Sequence, residues 1–430
     1  MSLTRDLVRL IREKEISRVD LEAAALFTLD AVANALAGRQ SEPGRKLLSL
    51  MENFDMGADA GRWALLQGGL THILEVDDLH RASVVHPGCV VVPAAFALTD
   101  KTNGDGIRFL TSILQGFEAT CRVGMAVGQE HYKIWHSTAT CGPFGSAMTA
   151  ACLLDLDEDA ATDALGNAGT QAAGLWQFLD TGAMSKHLHA GRGAEAGVIA
   201  AQLAEHGFSG PPEILEGDRG LFAGACPDAN PGAVTAHPGH RWQLHETSIK
   251  PWPCCRHTHP TIDAALELSA GLETETIEAI DVTTYQPALD VCDRQGPVSI
   301  YEAKFSLQHC VAAALADGKV DFDSFEEPCR QRLTGLRDKV RLKAEDPYLS
   351  AYPKDWGAAI TLKLSTGEER TAHRSHCKGD PEDPLSLQEM REKARMLMTF
   401  GKVDNPDDLI DAILAMADGA PPPALPLIIS

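Results

Sequence analysis

Four short stretches concentrate the groups that can move protons or hold anions. LEVDDLHRASVVHPG, from Leu74 to Gly88, carries Glu75, Asp77, Asp78, His80 and His86, and runs straight into the apolar CVVVPAAFAL. HYKIWHSTATCGPFG holds His131, Tyr132, Lys133 and His136 ahead of a Gly-rich helix start. GAMSKHLHAGRGA holds Lys186, His187 and His189, and SIKPWPCCRHTHP holds Lys250, Arg256, His257 and His259. A purely structural segment would spread such charges over a solvated face. Imidazoles titrate near neutral pH and can move protons, while two lysines and an arginine can bind carboxylates. The combination suits proton removal next to a carboxylate, leading to elimination, decarboxylation or epimerisation.

Each group also has a plainer reading. A histidine taken alone is more often a hydrogen-bonded structural residue than a catalyst. HPG and HST could be helix caps, with Ser137 or Thr138 in that role. Lys186 and Lys250 alone would be solvated, and DLDEDAATD reads as a helix start and its solvated face. CCRHTH and HLH look like soft-ligand clusters but lack paired C-x-x-C spacing. Adjacent Cys254 and Cys255 cannot easily ligate one tetrahedral ion, so no metal is expected. No Gly-rich dinucleotide fingerprint, P-loop or nucleophile elbow is present, and no cofactor is expected.

The elements that must position these groups come from a chain of 430 residues, 44% hydrophobic and 23% charged, long enough for two domains. Sixty acidic against 38 basic residues give a net charge of −22, which argues against nucleic acid and anionic membranes as partners. The charged, periodic N-terminus does not read as a signal peptide, and no apolar stretch approaches a membrane span. Eleven cysteines, an odd number without a disulfide-like framework, fit a reducing cytoplasm.

Residues 1–240 read as helix after helix. SRVDLEAAALFTLDAVANALAG has helical periodicity and closes on Gly38 as a C-terminal cap. DGIRFLTSILQGFEATCRVGMAVG and FGSAMTAACLLDLDEDAATDALGNAG continue the theme, with Ala and Gly suggesting close helix approach. From 241 the texture changes. RWQLHETSIKPWP and TIEAIDVTTYQPAL read as strands, and AAITLKLSTGEERTAHRS as a hairpin turning at Thr366-Gly367. THPTIDAALELSAGL and AKFSLQHCVAAALADG read as helices between them. After KGDPEDPLS the chain returns to helix. The expected fold is mainly α: a large all-helical domain built from both chain ends, 1–240 and 384–430, with an inserted smaller α+β lid domain at 241–383.

Taken in order, the clusters resemble the MmgE/PrpD family over nearly the whole chain. DDLHRASVVHPG resembles that family's D-D-T-H…H-P segment, WHSTATCGPFGSA its G-x-H-P-T-A-T-x-G-x-F-G-A segment, and SKHLHAG its T-K-P-L-H-x-G segment. IKPWPCCRHTHPTIDA is similar to a K-x-Y-P-C-C-x-x-T-H motif, and EAKFSLQHCVAAAL and KGDPEDPLS to later landmarks. The family includes 2-methylcitrate dehydratases, cis-aconitate decarboxylases and iminodisuccinate epimerase. The resemblance implies a metal-free enzyme, usually a homodimer, with its pocket between a helical domain and an α+β lid. It implies Asp77, His86, His136, Lys186, Lys250 and His309 as pocket residues.

Four positions depart from the pattern: Glu75 replaces an aspartate, Leu79 a threonine or serine, and Ser137 and His187 each a proline. The resulting expectation is a cofactor-independent lyase, dehydratase or decarboxylase, acting on a small di- or tricarboxylate. Catalytic roles fall to His136, Lys186, His86 and Asp77, and substrate binding to Lys250, Arg256, Asp78, His80 and His309. Asp77 and Asp78, read as neighbours on a helix, should diverge so that one points inward. An epimerase of a small dicarboxylate and a non-catalytic anion- or metal-binding protein are the alternatives.

Overall fold

The computed structural model describes residues 2–54 and 59–427. The chain is mainly helix with short strands, and it divides into two compact units, Met1–Ile249 with Ser386–Ser430, and Lys250–Leu385.

In the first unit local signals set the helix ends. Ser17 and Asp20 form a capping box at the start of Arg18–Gly38, and the Asp105 carboxylate accepts from two N–H groups of Gly106–Ala126. FGSAMTAACLLDLDEDAATDALGNAG makes two helices, Ser137–Leu153 and Glu158–Gly169, the second capped by Asp157 as its acidic run suggests. Gly38 is not the left-handed cap expected; it is the last helical residue. A Cβ there would lie 2.2 Å from the Leu70 carbonyl, so the residue permits Arg18–Gly38 to touch the helix Ala60–His72. Arg18–Gly38 also corrects the expectation that no segment has bilayer length. At 21 residues it is long and apolar enough, although 83% of its most apolar window is buried inside the fold. The helix Leu387–Phe400 packs on it, and Lys393 bonds both Asp30 and, at 2.8 Å, the Val76 carbonyl.

RWQLHETSIKPWP contributes only a two-residue strand. Leu79–His80 (β1) pairs antiparallel with Thr247–Ser248 (β2). The preceding residues satisfy their polar groups through tertiary bonds instead of a ladder: Trp242 Nε1 donates to the Glu15 carbonyl and the Gln243 N–H to Glu118. The division into units accordingly falls after Ile249 and Leu385, where the sequence reading drew it after 240 and 383.

The second unit contains a four-stranded mixed sheet and the helices packed on it. Ile277–Thr284 (β3) runs parallel to Val340–Ala344 (β4) and antiparallel to Ala358–Leu364 (β5), which forms the expected hairpin with Glu369–Arg374 (β6). Ala358, Ile360, Leu362 and Leu364 alternate inward. With Ile262, Leu268, Val311 and Leu315 of the helices His259–Ser269 and Leu307–Asp317, most of that face builds one apolar core.

Candidate functional site

The opening acidic stretch is not helical. Helix Ala60–His72 ends at His72, and residues 73–78 form an irregular loop before β1. Asp77 and Asp78 therefore diverge for a different reason from the one expected, and both carboxylates are buried. Asp77 Oδ2 accepts from His72 Nδ1 at 2.7 Å and lies 3.5 Å from His86 Nδ1. Asp78 accepts the Gly88 N–H at 3.0–3.1 Å, at the first turn of Gly88–Ala97, where a carboxylate is favoured. A Cβ on Gly88 would sit 2.8 Å from the Asp78 carboxylate, so glycine is what lets the helix start there. His86 Nδ1 donates to the Asp78 carbonyl at 2.5 Å, and its own N–H donates to Thr138.

His136 precedes Ser137–Leu153 as its N-cap residue, with no side-chain capping bond; neither Ser137 nor Thr138 takes that role. Its N–H donates to the Gly174 carbonyl, tying it to the segment that leads into Trp176. The imidazole packs at 4.7 Å on Trp176 and 5.7 Å from His72, ring centre to ring centre, and its Nδ1 lies 3.3 Å from His189 Nδ1. Burial holds His136 well below the usual histidine range, and the nearby His72 and Lys186 charges add to it. His189 is lowered to about 4 by burial, then by His72 and Lys186. Two neutral rings can share one N–H between their Nδ1 atoms, one donating and one accepting.

Lys186, in the first turn of Ser185–Glu205, places Nζ 2.6 Å from each oxygen of Glu75, with both side chains under 10% exposed. Glu75 adopts a left-handed φ of +63°, rarely used by a non-glycine residue. The structure thus joins His72, Glu75, Asp77, His86, His136, Lys186 and His189 in the first unit. A cavity of about 540 Å³, lined by Trp135, Gly174, Leu175, Phe178 and Ser185, reaches this cluster at His189. A larger cavity, about 720 Å³, is lined by Trp63, Gln67, Phe96 and Lys101 and contains none of these groups, so size alone does not mark the chemistry.

In the second unit Lys250 is 2% exposed, Arg256 donates to Asp380 at 2.5 Å, and His257 Nδ1 pairs with the Tyr285 hydroxyl at 2.8 Å while stacking on Trp356. His257 is lowered to about 3 by burial and then by Arg256.

Three further residues assigned to substrate have polar partners within the fold. Asp78 serves the helix start just described. His80 spends both ring nitrogens on Ser83 and Gln243 and is lowered to about 4 by burial. His309 donates from Nε2 to the Ser324 carbonyl inside the second unit and is likewise lowered to about 4 by burial. Leu79, the position lacking a hydroxyl, is 3% exposed in β1.

Sequence reasoning missed His72, which stands two residues ahead of the stretch it began with, and Trp176. It quoted His189 and the segment around Asp380 without giving either a role. The one available signal was His72 at the end of an apolar helix, five residues before Asp77. Among the described residues, the groups with ligand atoms within 4.8 Å of one another are His72, Asp77, His86 and His376, Asp380, Glu382, not CCRHTH or HLH. In the first group Asp77 Oδ2 pairs with His72 Nδ1 and His86 Nδ1 with the Asp78 carbonyl.

Residues 5–233 match the MmgE/PrpD N-terminal domain and residues 252–414 the MmgE/PrpD C-terminal domain. The chain is 27% identical to the cis-aconitate decarboxylase-like protein oryM of Aspergillus oryzae, over 90% of this chain and 88% of that protein. It is 27% identical to human cis-aconitate decarboxylase over 77% of this chain and 71% of that one. With the cis-aconitate decarboxylase of Aspergillus terreus it shares 26% identity, over 71% and 70%.

Proposed function

The chain belongs to the MmgE/PrpD family, and from that premise we propose that it is a lyase acting on a small carboxylic acid with two or three carboxylates, by decarboxylation or dehydration. The observation that carries this reading is the imidazole pair of buried His136 and half-buried His189, both held below the usual histidine range, beside the Lys186 ammonium and the carboxylate of Asp77. A neutral imidazole, excluded from bulk water, can accept a proton from the carbon next to a carboxylate, the first step of dehydration. In decarboxylation the carbon–carbon bond breaks, carbon dioxide leaves, and the electron pair passes into the remaining unsaturated carboxylate. His136 then returns a proton to carbon, having taken it from Lys186 or water. Asp77 orients His72 and lies near His86, and Lys250 is the cation assigned to a substrate carboxylate. The family relatives named as cis-aconitate decarboxylases favour loss of carbon dioxide as the first reaction to test.

The test is a panel of small unsaturated and hydroxylated polycarboxylates incubated in deuterated water. Carbon dioxide release or water loss, with deuterium at a single carbon of the product, is expected. Deuterium incorporation with inversion and no lost fragment would make the enzyme an epimerase. Retained binding with no conversion of any panel member would remove the lyase reading.

The reading includes a homodimer in a reducing compartment. Ile134, Leu175, Leu179, Met184 and Leu188 leave a set of exposed apolar side chains, and none of the eleven cysteines forms a disulfide. Light scattering should give about twice the 46.1 kDa chain mass; a fully active monomer would count against the dimer.

A further inference from the structure

The pairing of Glu75 with Lys186 changes what this site can bind. Lys186 Nζ lies 2.6 Å from both Glu75 oxygens, and the two side chains are 9% and 5% exposed. The pair is built by the backbone. Glu75 sits at a left-handed φ of +63°, and Lys393 holds the next residue by the Val76 carbonyl. Glutamate stands here where the D-x-D-D-T pattern commonly begins with aspartate, so its reach is longer by one methylene. The ammonium is thus matched by a carboxylate before any ligand arrives. The remaining formal charges of that loop, Asp77 and Asp78, are negative, and His136 and His189 are uncharged at neutral pH. A ligand carboxylate placed at Lys186 must displace Glu75, leaving a buried carboxylate with its ion pair broken, or share the ammonium with it at close range. Either is unfavourable in a site removed from water.

We propose that Glu75 is a specificity-determining residue that reserves the Lys186 end of the site for an uncharged substrate group, so that the preferred substrate is a dicarboxylate rather than a tricarboxylate. The proposal rests on the lyase reading only in taking this cluster as the substrate site. At Lys186 the substrate presents a hydroxyl, a carbonyl or an apolar group. Lys186 then keeps its proton for the reaction instead of neutralising a third carboxylate.

The experiment is calorimetric titration of the full-length protein with glutarate and with propane-1,2,3-tricarboxylate, which differ by one carboxylate. Wild type should bind glutarate about tenfold or more tightly than the tricarboxylate, the worth of one charged hydrogen bond. Glu75→Gln keeps the shape and removes the charge, and should shift the ratio toward the tricarboxylate by about tenfold or more. In Glu75→Gln/Lys186→Gln that gain should vanish. If Glu75→Gln fails to melt cooperatively, Glu75→Asp draws the carboxylate back and should move the ratio the same way by less. A ratio unchanged by these substitutions overturns the proposal, whichever acid wild type prefers, and so does absence of binding to both acids in every variant. Because binding is read without turnover, a panel that yields no product fails the lyase reading while leaving this one to its own result.

Discussion

The two units each bury a cation, an acidic partner and several histidines, yet they arrange them differently. In the first unit the imidazoles of His72, His86, His136 and His189 face one another, and His136 and His189 meet nitrogen to nitrogen. In the second, His257 is tied to the Tyr285 hydroxyl and His259 lies against the Cys254 carbonyl at 3.4 Å, while Arg256 is fixed on Asp380. His136 and His189, whose Nδ1 atoms meet, can pass a proton between them, whereas His86 on the Asp78 carbonyl, His257 on the phenol and His259 against a carbonyl hold still. The same residue types thus build a proton-handling cluster in one unit and a rigid charged one in the other.

The largest effect expected from this contrast is on turnover. His136→Gln should lower kcat by about 10²- to 10⁴-fold, the usual worth of a general acid–base group, with KM changed far less. Lys250→Ala in the second unit should instead raise KM by about 10- to 150-fold, the loss of one charged hydrogen bond, with kcat nearly kept. Steady-state kinetics on the substrate found by the product panel reads both. Two variants that shift kcat and KM alike would erase the distinction between the units.

A smaller effect concerns stability, where the two units should behave alike. His80 in the first and His309 in the second are both lowered from 6.5 to about 4, because burial disfavours the charged ring. Each binds a proton more readily when unfolded, so its contribution is complete above pH 6.5 and is lost as pH falls toward 4. At pH 5 the loss is about 2 kcal/mol for one such group. Urea midpoints at pH 7 and pH 5 should diverge less in His80→Gln, whose amide can still reach Ser83 and Gln243. Equal pH dependence in wild type and variant would falsify the assignment of that slope to His80.

Local signals mark where helices begin, and residue type marks which stretches carry chemistry. Ser17, Asp105, Asp157 and Ser386 mark N-termini because a side-chain oxygen three residues or fewer from an unsatisfied N–H needs no tertiary help. The alternation of β5 and the hairpin to β6 were legible for the same reason, since both are set by neighbours along the chain. The order of the reactive stretches was enough to point to the family.

Only the tertiary structure decided which reactive groups are available. Glu75 and Lys186 are 111 residues apart and Arg256 and Asp380 are 124, and no local pattern announces that either cation arrives already paired. His80 and His136 look equivalent in the sequence. One is consumed by Ser83 and Gln243, and the other is left against His189, because burial removes water as a partner and forces each polar atom to find one wherever the fold has brought it. Residue type supplies the chemistry a side chain can do; long-range pairing decides whether that capacity is spent on holding the fold or kept for a ligand.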